Sequence, residues 1–185
     1  MALIREDVAG DPQVTRTSAR TTLGAVQIGV SAKGVCWLSF DETAERLLRQ
    51  FPAVRPAEAG EAGEAAAALA ERVVAAIEAP SPAMHDIPLD LRGTPFQLRV
   101  WEALRRIPLG ETRSYGELAA MLATTGASRA VGAANAANRI AVLVPCHRVV
   151  AANGSLGGYA WGLALKAELL RRESAAAPPL AGRLL

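Results

Sequence analysis

The sequence predicts an α/β chain of the α+β kind. A small N-terminal α/β domain with a β-hairpin is followed by a mainly α C-terminal domain with a helix-turn-helix, winged-helix-like in outline. Three observations predict it. Between Thr21 and Phe40, apolar and β-branched residues flank a glycine-containing turn, the pattern of a hairpin. Later stretches place apolar residues at helical spacing, each bounded by a capping residue, a proline or a glycine. Composition then changes at Arg92-Gly93, which divides residues 1–92 from 93–173.

In chain order, residues 1–20 are polar and turn-rich and read as loosely held. Val26, Ile28, Val30, Val35, Trp37 and Leu38 are the expected packing residues of the hairpin, which turns at Ser31-Ala32-Lys33-Gly34. Cys36 inside its second strand reads as a small buried apolar side chain. Asp41 is expected to cap an amphipathic helix over Glu42–Phe51, stopped by Pro52, and a second helix is expected over Glu64–Glu78, ended by Pro80. Met84–Leu91 reads as a further strand, with His85 an ordinary residue at its start.

Past the boundary, Thr94-Pro95 reads as N-cap and first-turn proline of a helix whose core stripe is Phe96, Val100, Trp101 and Leu104. Pro108-Leu109-Gly110-Glu111 is a turn. Ser114-Tyr115-Gly116-Glu117 spells a capping box, in which the Ser and Glu side chains satisfy each other's backbone N–H groups. Leu118, Ala119 and Leu122 give that helix its apolar face, Thr124-Thr125-Gly126 ends it, and another helix runs from Ser128 to Ala137. Helix, glycine-containing turn, helix is a helix-turn-helix pattern, which purely structural α-hairpins share. Ser174–Leu185, with Pro178-Pro179, reads as a flexible tail.

Composition bounds the function. The 185 residues are 51% hydrophobic and 21% charged, which suits a chain that buries a core and stays soluble. No apolar run reaches the roughly 18 residues of a membrane span. The opening MALIREDVAGDP turns acidic at once and does not read as a signal peptide. Two cysteines, Cys36 and Cys146, make no disulfide framework, so a cytoplasmic location is expected. With only His85 and His147 beside them, the cysteines show no metal-ligand spacing. The net charge of +2 hides an asymmetry: residues 1–92 carry 9 basic and 13 acidic side chains (−4), and residues 93–185 carry 11 and 5 (+6). A basic half suits a polyanionic partner, although chance drift of surface charge gives the same numbers.

The helix after the glycine turn reads ASRAVGAANAAN from Ala127 to Asn138, with Arg129 its one long side chain. A helix that reads base edges in the major groove presents several Arg, Asn, Gln or Lys side chains. This one is nearly bare. It fits a narrow space such as a minor groove, where a lone Arg can fill a gap in a base stack, and it fits equally a tightly packed core helix. Ile140–Val150 reads as an apolar strand interrupted at Pro145-Cys146-His147-Arg148. Proline cannot donate to a sheet ladder, so a break is expected there, exposing a thiol beside a base. Taken alone, these residues fit a reactive cysteine and also a buried cysteine beside a hydrogen-bonded histidine.

At Pro145-Cys146-His147-Arg148-Val149 the sequence resembles the active-site signature of the O6-alkylguanine-DNA alkyltransferases, the methylated-DNA–protein-cysteine methyltransferases. The similarity takes in Gly93-Thr94-Pro95-Phe96 with Val100-Trp101, Ile107-Pro108, Gly110-Glu111-Thr112 and Ser114-Tyr115. It continues through Arg129-Ala130-Val131-Gly132, Ala136-Ala137-Asn138, Gly158-Tyr159, Gly162-Leu163, Lys166, and Leu169-Leu170 with Glu173. It covers residues 93–173 in order, while the first 92 residues match only in outline.

The resemblance implies direct-reversal repair. The alkyl group on O6 of guanine is transferred irreversibly to Cys146, the protein is consumed, and no cofactor and no metal are required. It implies that His147 takes the thiol proton through a water, that Glu173 orients the imidazole, and that Asn138 braces the turn. Tyr115 would help extrude the nucleotide and protonate the leaving guanine. In this family the second helix of the motif enters the minor groove, so Arg129, Ala130, Gly132 and Ala133 would contact DNA and Arg129 would fill the vacated stack. The carbonyls of Cys146 and Val149 would accept the exocyclic amine, with Tyr159, Ala160 and Trp161 completing the pocket. The implied partner is double-stranded DNA containing O6-alkylguanine, bound by a monomer with little sequence specificity.

Two departures bear on this. Ala160 stands where some members carry a polar or basic side chain, and Trp161 stands where others have glycine, which is expected to narrow the pocket against benzyl-sized adducts. Cys146 is present where the related non-enzymatic binders replace it. A Cys-rich zinc domain in front is missing, so a self-methylation switch and phosphotriester repair are not expected. A helix-turn-helix regulator without chemistry leaves Cys146, His147 and Glu173 without a role, and a cysteine hydrolase has no use for Arg129 or the bare helix.

Overall fold

The computed structural model describes residues 14–177 apart from Ala59 and Thr125, so the expectations for residues 1–13 and 178–185 lie outside the described residues. The hairpin forms as expected: β2 (Gly24–Ser31) and β3 (Gly34–Ser39) pair antiparallel, with a register shift between Gly29 and Val30. Its turn depends on Gly34. The residue sits at φ +134, and a Cβ there would lie 2.3 Å from the Pro88 carbonyl oxygen.

The stretch expected to be loose instead contains β1 (Thr15–Thr21), antiparallel to β2 along its whole length. Its sequence, TRTSART, is polar on both faces. Pairing with β2 on one side and with the short parallel β4 (Arg55–Pro56) on the other makes it a strand. The sheet order is β3-β2-β1-β4. Helix α1 (Glu45–Gln50) starts at an Ala44 cap, not at Asp41. Asp41 instead holds Arg46, in the first turn of that helix, at 3.5 Å. Helix α2 (Glu61–Glu78) begins a turn earlier than expected and lays Ala66, Ala70, Val73 and Ile77 on the sheet, the i, i+4, i+7 stripe that buries one helix face. Met84–Leu91 is not a strand. Pro82–Asp86 forms a turn of 3-10 helix, and only Leu89 bridges to Val35.

In the second half, α3 (Pro95–Arg105) carries a full capping box between Thr94 and Gln97. Trp101 is core as expected, and its indole N–H donates to the Ala134 carbonyl at 2.9 Å, tying α3 to α5 (Ser128–Ala136). The Ser114–Glu117 box opens α4 (Tyr115–Met121) as read from the sequence. That helix ends earlier than expected, in a Schellman motif: Ala123 adopts φ 53, its N–H reaches the Ala120 carbonyl and that of Thr124 reaches Ala119. α4 and α5 pack together, and α6 (Leu163–Ala176) extends through Ser174–Ala176, which were expected to be tail.

One buried cluster runs through both halves, from Val26 and Ile28 to Val149 and Leu169. The outer edge of β3 is not left bare. Its backbone bonds Pro88 and Asp90 at Val35, and Arg139 and Ala141 at Leu38, each at 2.9 Å. The segment that leads to Cys146 is thereby docked on the N-terminal sheet, which also protects an edge that would otherwise template aggregation.

Gly34→Ala should destabilise the protein by about 2–4 kcal/mol, from positive φ together with the Pro88 clash. Gly24→Ala, at φ +119 but in open space, should cost only about 1 kcal/mol. Urea unfolding of both variants checks this; equal losses would contradict the role of the Pro88 contact.

Candidate active site

Ile140–Val150 is not a broken strand. Ile140 bridges to Leu38, residues 141–144 form buried tight turns with Val142 at φ 65, and Cys146–Arg148 is one turn of 3-10 helix. β6 (Val149–Val150) then pairs parallel with β5 (Arg113–Ser114), directly ahead of Tyr115. The break at Pro145 does not expose the thiol: Cys146 is 5% exposed, and His147 and Arg148 are fully buried. Pro145 interrupts pairing, but the turn is folded into the core.

Asn138, just past α5, organises this loop. Its Nδ2 donates to the Val144 carbonyl at 2.8 Å and to Cys146 Sγ at 3.0 Å, and its Oδ1 accepts from the Ile140 N–H at 2.9 Å. One side chain thus satisfies three groups of a buried turn that cannot satisfy itself. Burial pushes the Cys146 thiol up to about 11, against the pull of Asn138 and the Lys166 charge. At neutral pH the thiol is therefore protonated.

Beyond the cysteine lies a buried ionic cluster. Glu173, on α6, accepts from His147 Nε2 at 2.8 Å and from Arg148 Nη2 at 2.9 Å through Oε1, and from Arg148 Nε at 2.7 Å through Oε2. Burial alone would raise its pKa, but the bonds from His147 and Arg148 outweigh that and hold it at about 2. Burial lowers the His147 pKa, with Glu173 opposing and the Arg148 and Lys166 charges assisting. The imidazole is therefore neutral beside an ionised carboxylate, which assigns the ring proton to Nε2 and the free lone pair to Nδ1. His147 Nδ1 has no hydrogen-bond partner among the described residues.

Lys166, also fully buried, donates to the carbonyls of Val149 (2.5 Å), Leu156 and Gly158 (3.3 Å), pinning the loop beyond β6. Tyr115, Asn135, Asn138, Cys146, Tyr159, Ala160 and Trp161 line a cavity of about 210 Å³. Burial raises the pKa of both tyrosines, with Cys146 adding to it, so both stay protonated donors at neutral pH. Tyr159 stands edge-on to His147 (6.4 Å between centroids) and to Trp161 (5.2 Å).

Cys146, Asn138, Tyr115, Tyr159, Ala160 and Trp161 thus meet at one cavity, with His147 and Glu173 behind it. Val149 does not line it; its side chain is buried and its carbonyl already serves Lys166, which leaves one lone pair. On α5, Val131, Ala134 and Asn135 face inward while Arg129, Ala130 and Ala133 are exposed, and half-buried Gly132 packs by the Tyr115 ring. Sequence reasoning missed the grip of Arg148 on Glu173, the lining residue Asn135, and the approach of Phe40 and Arg46 to Trp161. The first was hidden inside the signature pentapeptide; the others leave no local signal. Among the described residues no group of three His, Cys, Asp or Glu side chains could hold a metal ion, and no helix is long and apolar enough to cross a membrane.

Arg148→Met should cost about 3–5 kcal/mol at pH 7, because it strands a buried carboxylate. Glu173, with its pKa depressed in the folded state, contributes stability that is present above the ordinary carboxylate range and lost as pH falls towards 2. In the variant Glu173 protonates more readily, so the loss should shrink on going to about pH 4. Urea unfolding at the two pH values checks this; a loss independent of pH would contradict it.

The chain is similar to known proteins in both sequence and structure. Residues 95–175 match the family model described as 6-O-methylguanine DNA methyltransferase, DNA binding domain. The methylated-DNA–protein-cysteine methyltransferase of Mycobacterium tuberculosis is 58% identical over 93 residues, 50% of this chain and 56% of that protein. The bifunctional transcriptional activator/DNA repair enzyme Ada of Escherichia coli is 41% identical over 157 residues, 82% of this chain and 43% of Ada. The chain spans about half the length of the curated relatives it matches. A crystal structure of Mycobacterium tuberculosis OGT in complex with DNA superposes with a TM-score of 0.71 at 38% identity, covering 90% of this chain and 96% of that one. With its α+β fold, and with Cys146 on a cavity backed by His147 and Glu173, the chain belongs to the O6-methylguanine-DNA methyltransferase family.

Proposed function

We propose that this protein performs direct-reversal DNA repair, moving the alkyl group from O6 of guanine to Cys146 once per molecule. The observation that carries the reading is a buried thiol on a cavity of about 210 Å³, next to a histidine that bonds Glu173 through Nε2 and whose Nδ1 has no partner among the described residues. In the reaction Cys146 Sγ attacks the alkyl carbon, a C–S bond forms and the C–O6 bond breaks. The thiol proton passes to His147 Nδ1 through a water. Ionised Glu173 stabilises the imidazolium as it forms, in the manner of the third member of a protease triad. Tyr115 donates a proton to the guanine ring, so the base leaves neutral. A thioether has no facile way back, which makes the transfer stoichiometric, and no cofactor enters it.

A base inside a duplex must be extruded first. We infer that α4 and α5 act as a helix-turn-helix, with the bare face of Arg129, Ala130, Gly132 and Ala133 entering the minor groove of double-stranded DNA. Arg129 occupies the vacated stack. Contacts of this kind read shape and deformability, so little sequence specificity is expected of this monomer. Residues 93–173 carry this chemistry, with residues 1–92 supporting it through the β3 edge.

The test uses duplex DNA carrying a labelled methyl at O6 of guanine, with the label located by peptide mass. One equivalent on Cys146 without turnover is expected; DNA binding with no label would overturn the proposal. Cys146→Ser should abolish transfer while keeping DNA affinity. Arg129→Ala should slow duplex repair by about tenfold or more, since extrusion costs a few kcal/mol, and leave attack on the free alkylated base nearly unchanged.

A further inference from the structure

The wall of the cavity is completed from the other half of the chain. The Arg46 guanidinium, on α1, lies over the Trp161 ring at 5.6 Å from its centroid. Its Nη1 is held by Asp41 Oδ1 at 3.5 Å, with the two side chains 41% and 19% exposed. Phe40 meets the same indole edge-on at 6.4 Å, and Tyr159 does so at 5.2 Å. The indole N–H is buried with no acceptor among the described residues. No hydrogen bond therefore fixes the ring, and its orientation rests on packing and on the cation over its face.

We infer that Arg46 is a positioning residue for adduct size: it clamps Trp161 as a closed cavity wall that admits a methyl group and resists a bulky aromatic one. The inference rests on the alkyl-transfer reading of the cavity. An unclamped indole can swing aside when a larger adduct enters, whereas a clamped one must first give up the cation–π contact. Arg46 meets the cavity wall through Trp161, so its removal alters selectivity and not the chemistry. Lysine keeps the charge but lacks the planar face that lies along the indole, so Arg46→Lys falls between wild type and Arg46→Ala.

The experiment compares wild type, Arg46→Ala, Arg46→Lys, Trp161→Gly and the Arg46→Ala/Trp161→Gly pair, all as the full chain. Cys146 alkylation is read by intact mass with O6-benzylguanine base and with methylated duplex DNA. Arg46→Ala should speed benzyl transfer about two- to fivefold, the worth of one partly exposed cation–π contact. It should leave methyl transfer within about twofold and add nothing once Trp161 is glycine. Equal effects on both substrates, or the same effect without the indole, would overturn the clamp. Acrylamide quenching reads it without any chemistry. Trp37 and Trp101 are only 6% and 3% exposed, so a rise in quenching for Arg46→Ala reports Trp161, and no rise overturns the inference. Should wild type fail to alkylate Cys146, the proposed function falls, while quenching still decides the clamp.

Discussion

A carboxylate buried in an apolar interior must be neutralised or bonded on every side, and Glu173 is the one around which this structure is arranged. Arg148 meets it with two N–H groups and spends a third on the Ile107 carbonyl at 2.6 Å, while a fourth lies 3.8 Å from Met84 Sδ. That single guanidinium therefore ties together α6, the reactive turn, the end of α3 and the 3-10 turn from the N-terminal half. Stability and chemistry share the arrangement. The ion pair that makes a buried Glu173 tolerable also keeps it ionised, and an ionised Glu173 assigns the tautomer of His147.

The consequence is a resting site that holds its charge in reserve. The thiol is protonated, the imidazole is neutral, and both are shielded from water. A free thiolate would be more nucleophilic but also open to oxidation and to adventitious alkylation. In the proposed reaction the charge-separated pair forms only as the alkyl carbon is attacked, against a dipole and charge pattern that is already in place. In a protein used once, as proposed, this restraint protects Cys146 from side reactions that would consume it.

Much of the scaffold was legible because it is written locally. The Ser114–Glu117 capping box, the Thr94 N-cap, the Ser31–Gly34 turn and the stripe of Val100, Trp101 and Leu104 depend on neighbours a few residues away. The failures share a cause in the partner strand or the surrounding core. TRTSART becomes β1 only through the strands beside it. The apolar run before Pro145 could not be told from a strand, because buried turns and buried strands are equally apolar. The core of the site was legible by resemblance, through Cys146, His147, Asn138 and Glu173. Pro145 within the apolar run promised an exposed thiol, however, and the structure buries it. The contact of Arg46 with Trp161 joins distant parts of the chain and leaves no periodic trace in either.

The site depends on a neutral His147, with its proton on Nε2 facing an ionised Glu173. Nitrogen NMR of the imidazole, with histidine labelled in the ring, measures this directly, because protonated and unprotonated ring nitrogens are well separated in shift. At pH 7 one protonated nitrogen, Nε2, and one bare nitrogen, Nδ1, are expected, with no imidazolium until the pH falls below the ordinary histidine value of 6.5. An imidazolium at pH 7, or a proton resting on Nδ1, would contradict it.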